Sequence, residues 1–87
     1  MNQVFIPSHL QHLTGGQDSV AVEGKNIRQV IRALDNTHPG LAARLVDGDR
    51  LKPGVAVAID GAVDHLGLYA TLERDSEIFF VLAIEGG

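Results

Sequence analysis

Ile78-Phe79-Phe80-Val81-Leu82-Ala83-Ile84-Glu85-Gly86-Gly87 closes the sequence. Seven apolar residues run without a break, and one acid and two glycines follow. The run reads as a strand, and strand side chains alternate between faces. Ile78, Phe80 and Leu82 therefore form one set, and Phe79, Val81 and Ala83 form the other. Both faces of such a strand need cover, or one is kept for a partner. The two glycines carry no side chain, so the tail accepts backbone angles that other residues resist. It can also enter a narrow groove. A carboxylate there is ionised at neutral pH and inert until activated, for which an acyl adenylate is the suitable form. The other reading is a frayed chain end without chemistry.

Working outward, the chain alternates strand and helix signals. Val4-Phe5-Ile6-Pro7 reads as a first strand with Val4 and Ile6 on one face. Residues 8–18 read as a polar connection turning at Gly15-Gly16. Ser19-Val20-Ala21-Val22-Glu23 alternates as a second strand and forms a hairpin with the first. Asn26 is a good N-cap, with Gln29 at the third helical position. Ile27, Val30, Ile31 and Leu34 then make one apolar helical stripe. They are expected to pack on Val4, Ile6, Val57 and Ile59. The helix ends near Asn36-Thr37, because Pro39 holds His38 away from helical angles. Leu41 and Leu45 suit a further helical turn.

Residues 47–54 read as a solvated loop. Val55-Ala56-Val57-Ala58-Ile59 is the next strand, Asp60-Gly61 a turn, and Val63 sits on a short return. Leu66, Leu68, Tyr69 and Leu72 are expected to close the core as a compact turn or short helix. Arg74-Asp75-Ser76-Glu77 is a polar turn before the final strand. The last strand is best satisfied beside the first, in parallel, at the centre of a mixed sheet with one main helix across it. That arrangement is an α+β fold of the β-grasp kind. The expected division is a domain over residues 1–84 and a flexible Gly-Gly tail over 85–87.

Eighty-seven residues make one small domain. A net charge of −4 argues against nucleic acid as the main partner and suits a basic one. The absence of cysteine excludes disulfides and thiolate chemistry. Neither a signal peptide nor a membrane-length apolar run is visible, so a cytoplasmic protein is expected. His9 and His12 lack a third metal ligand. Asp47-Gly48-Asp49 lacks the rest of a calcium loop, and Gly15-Gly16 lacks the rest of a phosphate loop. No internal active site is legible, and the chain reads as no enzyme and binds no cofactor of its own.

The element order and the ending from Glu77 to Gly87 resemble the ubiquitin-like sulfur carriers of the MoaD/ThiS family. Ile6-Pro7, Leu10, Thr14-Gly15-Gly16-Gln17 and Ser19-Val20 resemble the cysteine-biosynthesis (CysO-type) branch in particular. So do Pro39-Gly40, Arg44-Leu45, Asp47 and Gly67-Leu68. The resemblance implies that an E1-like adenylating enzyme of the MoeB/ThiF type, using ATP and Mg²⁺, activates the carboxylate of Gly87. Sulfur then converts it to a thiocarboxylate for an acceptor that is cysteine synthase-like or like the molybdopterin synthase large subunit. It also places Ile78 and Phe80 toward the core, leaving Phe79, Val81 and Ala83 for partners beside the tail of Glu85 and Gly86. Two departures stand out. Arg74-Asp75-Ser76 replaces the usual Gly-Asp turn, and Glu85 stands where a small or apolar residue is common. A protein modifier joined through Gly87, or an interaction domain without chemistry, fits the same tail.

Overall fold

The computed structural model describes residues 1–82. It holds a five-stranded sheet in the order β2-β1-β7-β5-β6. These are β1 (Asn2–Phe5), β2 (Ser19–Val22), β5 (Val55–Ile59), β6 (Ala62–Asp64) and β7 (Glu77–Leu82). β7 runs parallel to β1 and antiparallel to β5, and both hairpin pairs are antiparallel. The last strand thus lies between β1 and β5 at the centre of a mixed sheet, as the sequence led us to expect, in a β-grasp arrangement.

Helix α1 (Ile27–Thr37) lies across one face. Its start is fixed by two reciprocal bonds. The Gln29 N–H donates to Asn26 Oδ1 at 2.8 Å, and the Gln29 side-chain oxygen accepts the Lys25 N–H at 2.8 Å. This closely follows a capping box and satisfies donors that a helix start leaves free. Gly24 lies just before it. A Cβ there would meet Val30 Cγ2 at 2.8 Å and Val30 N at 2.9 Å, so the close approach requires glycine. The helix ends where His38, before Pro39, leaves helical angles. Asp35 then serves the next element, α2 (Leu41–Leu45), by accepting the N–H groups of Gly40 and Ala42 on one oxygen.

Ile27, Val30, Ile31 and Leu34 are all buried. They share one core with Val4, Ile6, Val57, Ile78 and Phe80, while Ile59 is half-buried against it. The helical stripe therefore faces the sheet, as its spacing predicts.

Three local expectations need correction. The segment expected as a polar connection contains a 3₁₀ helix, Ser8–Thr14, which buries Leu10 and Thr14. The Thr14 hydroxyl lies 2.7 Å from the Gln17 carbonyl, so its polarity is satisfied inside. The segment expected as a solvated loop contains a small antiparallel ribbon, β3 (Val46–Asp47) with β4 (Arg50–Leu51). Its exit is fixed by the Lys52 N–H donating to the Leu45 carbonyl. Finally, Leu68 and Leu72 close the core, but Leu66 and Tyr69 are exposed. In the short 3₁₀ helix Gly67–Tyr69, side chains three apart eclipse, so Leu66 and Tyr69 share the outer side.

Asp60-Gly61 is a two-residue turn with positive φ at both positions (50° and 89°), which suits a type I′ hairpin. Asp60 also ties that turn to the central strand. Its carboxylate accepts the Glu77 N–H at 2.9 Å, and the Glu77 carbonyl accepts the Asp60 N–H at 2.9 Å. The Glu77 N–H, then the Ser76 hydroxyl, and then the Arg74 guanidinium hold the carboxyl below its usual range. A lowered folded pKa gives stability that is present above the unfolded pKa of about 3.9. That stability is lost as pH falls through the lowered folded value.

Ile31 is 2% exposed at the centre of the helix–sheet contact. Truncating it to Ala is expected to cost about 2–5 kcal/mol in chemical denaturation. A loss under about 0.5 kcal/mol, as at surface sites, would place this helix face outside the core.

Candidate functional site: the open face of the central sheet

Alternation along β7 divides its side chains sharply. Ile78 and Phe80 are 0% and 6% exposed, whereas Phe79 and Val81 are 39% and 54% exposed. Leu82 is half-buried against the core. Among the described elements, both α-helices contribute their buried residues to the core side of the sheet. The face carrying Phe79 and Val81 is left open.

The register shows what surrounds them. Phe5 of β1 stands directly beside Phe79, and Ala58 of β5 stands on the other side. Ala58 in turn pairs with Val63 of β6, which is 57% exposed. One apolar row therefore crosses four strands, and Val81 with Ala56 begins the next row toward the C-terminal end. The rings of Phe5 and Phe79 stack with centroids 4.4 Å apart and planes 3° from parallel. Such a pair contributes about 0.5–1.5 kcal/mol beyond its burial and fixes both rings.

The opposite end of the same face is polar. Gln3 pairs with Glu77 in the parallel register, and Gln3 Nε2 donates to Ser19 Oγ at 2.8 Å. So the apolar surface is displaced toward β5, β6 and the C-terminal end of β7. Such an exposed apolar patch is a candidate interaction surface, and a stacked aromatic is a suitable anchor within it.

Phe79 and Val81 thus lie together on one face. Ala83, Glu85, Gly86 and Gly87 lie outside the described residues, as does Ile84, the expected domain limit. Phe5, Ala58 and Val63 were not singled out in the sequence. The signal for Phe5 was present, since it alternates with the core residues Val4 and Ile6. The contribution of Ala58 and Val63 depends on register, which sequence alone does not supply. Among the described residues, no three side chains able to ligate a metal converge, and no helix is long and apolar enough to cross a membrane.

This is a ubiquitin-like β-grasp domain with an exposed apolar face on its central strand. Its likeness is to ubiquitin-like sulfur carriers of the MoaD/ThiS type. A chain of the Amycolatopsis orientalis BexX/CysO complex superposes with a TM-score of 0.93, at 28% identity over 100% of both chains. Mycobacterium tuberculosis CysO gives 0.87 at 26% identity, over 97% of this chain and 100% of that one. SAMP1 from Haloferax volcanii gives 0.73 at 22% identity, over 98% and 97%, and shares the fold. No protein-family model and no curated protein matches the chain. The CysO of Amycolatopsis orientalis occurs in complex with another protein, BexX.

The alternation makes a paired test. Val81→Asp is expected to leave the thermal midpoint nearly unchanged, because residue 81 is exposed. Phe80→Asp is expected to unfold the domain, because it buries an unpaired charge. Circular dichroism melts of both variants decide the matter, and the reverse result would shift the register by one residue.

Proposed function

We propose that this chain is a sulfur carrier whose reactive group is the carboxylate of Gly87. The observation that carries the reading is the exposed Phe79–Val81 patch on the strand whose sequence leads into Gly86-Gly87. Similarity to the CysO structures supports it. In this reading an E1-like adenylating enzyme of the MoeB/ThiF type docks on the open face. Its ATP and Mg²⁺ convert the Gly87 carboxylate to an acyl adenylate with release of pyrophosphate. A donor at the sulfide oxidation level then attacks the acyl carbon and displaces AMP, leaving a thiocarboxylate. That group is the better nucleophile and passes sulfur to an acceptor that is cysteine synthase-like or like the molybdopterin synthase large subunit. The ATP requirement makes the cytoplasm the compartment in this reading.

The carrier's own part is recognition and reach. Five residues separate Leu82 from the end of Gly87 and can span at most about 17 Å. The docking face must therefore lie within that distance of the enzyme's reacting phosphate. Gly86 and Gly87 offer no side chain to a narrow channel, and their carboxylate becomes electrophilic only as the adenylate. Glu85 brings a charge toward the channel, so the matching enzyme requires a cation there.

Deleting Gly87, or appending residues to it, is expected to abolish ATP–pyrophosphate exchange by the activating enzyme while the melt is unchanged. Gly86→Phe is expected to act nearly as strongly by blocking the channel. Exchange that persists in an extended, unprocessed chain would contradict the proposal.

A further inference from the structure

A second apolar exposure lies beyond the β6 edge. Leu66 and Tyr69 are 63% and 61% exposed and eclipse one another around the short 3₁₀ helix. They line a groove with Arg50, Leu51, Val55 and Val63. The groove wall is ordered locally, since the Leu66 N–H donates to Asp64 Oδ1 at 2.8 Å.

Three features indicate what covers it. The groove is continuous with the open face, because Val63 pairs with Ala58 and Ala58 with Phe79. It adjoins the root of the tail, because Val55 pairs with Leu82. Its charges are mixed: Arg50 is exposed and makes no ion pair among the described residues, although Asp47 is its cross-strand neighbour, while Asp64, which accepts the Leu66 N–H, and His65 also line the groove. A second copy of the chain would bring a net −4 against −4, which opposes self-association.

We propose that this groove is a second docking site for the adenylating enzyme that acts on Gly87. It receives an apolar side chain of that enzyme, with a carboxylate set against Arg50. The proposal rests on the carrier reading. Its physical purpose is orientation. One anchor on β7 leaves the domain free to pivot, and pivoting moves the root of a tail whose reach is short. Two anchors, one on the sheet and one beyond its edge, remove that freedom before chemistry.

The test uses the full chain and the E1-like adenylating enzyme of the same organism, with affinity measured calorimetrically. Leu66→Ser combined with Tyr69→Ser is expected to weaken binding about tenfold or more, as loss of an apolar anchor does. Arg50→Gln is expected to reduce the dependence of Kd on salt, because a screened charge pair is lost. If the double variant binds like wild type and Val81→Asp does not, the groove proposal is overturned and the carrier reading stands. If the wild-type chain does not bind the enzyme, both fall. If the double variant instead abolishes self-association in sedimentation while enzyme binding is unchanged, the groove belongs to a second copy and the proposal is overturned. All the substituted residues are exposed, so the melts should be retained; should the double variant unfold, the salt dependence of Arg50→Gln decides.

Discussion

Strand β7 is held on both edges, parallel to β1 and antiparallel to β5, and this double pairing constrains everything else. A central strand cannot slip by one residue without reversing which side chains face the core. Here a slip would expose Ile78 and Phe80 and bury Phe79 and Val81. Both sets are apolar, so burial alone separates the two registers little, and polar contacts must fix the choice. The Asp60–Glu77 pair and the buried Asn2 reinforce the register at the strand's start. Asn2 Oδ1 accepts the Ser76 N–H at 3.0 Å while its amide donates to the Gly24 carbonyl at 3.1 Å. That side chain joins three distant segments, and it is 2% exposed.

The same constraint links fold to function. Outward residues on a central strand need not contribute to the core, so they are free to be apolar for another reason. The stacked rings of Phe5 and Phe79 give the open face a rigid centre. A rigid aromatic loses little side-chain entropy on docking. The open face is polar near Glu77 and apolar near Val81. In the proposed reading, this asymmetry is what directs a partner toward the end of the sequence that bears the glycines.

The large elements were legible because their periods are clean. The stripe from Ile27 to Leu34, the alternation of Val55 to Ile59 and the Asp60-Gly61 turn each carry a local signal. The central position of the last strand was signalled by its unbroken apolar run, although one of its faces stays open. What escaped the sequence was set by tertiary contact or by weak periods. The 3₁₀ helix around Leu10 has too few apolar residues to show its period. The β3–β4 ribbon consists of two residues per strand and resembles a loop in composition. Leu66 and Tyr69 look like core residues by type and face outward because the short 3₁₀ helix sets them three apart on its outer side. The full width of the open face depends on pairing Phe79 with Ala58 and Ala58 with Val63, which is a matter of register.

The central claim is that this domain delivers sulfur through its own main-chain terminus. Intact-mass and fragment-ion spectrometry of the chain purified from its native cell addresses it directly. The account predicts a population in which one oxygen of the Gly87 carboxylate is replaced by sulfur, with the change confined to the C-terminal fragment. A terminus that is an unmodified carboxylate under sulfur-replete growth, with the chain instead joined through Gly87 to lysines of other proteins, would contradict it.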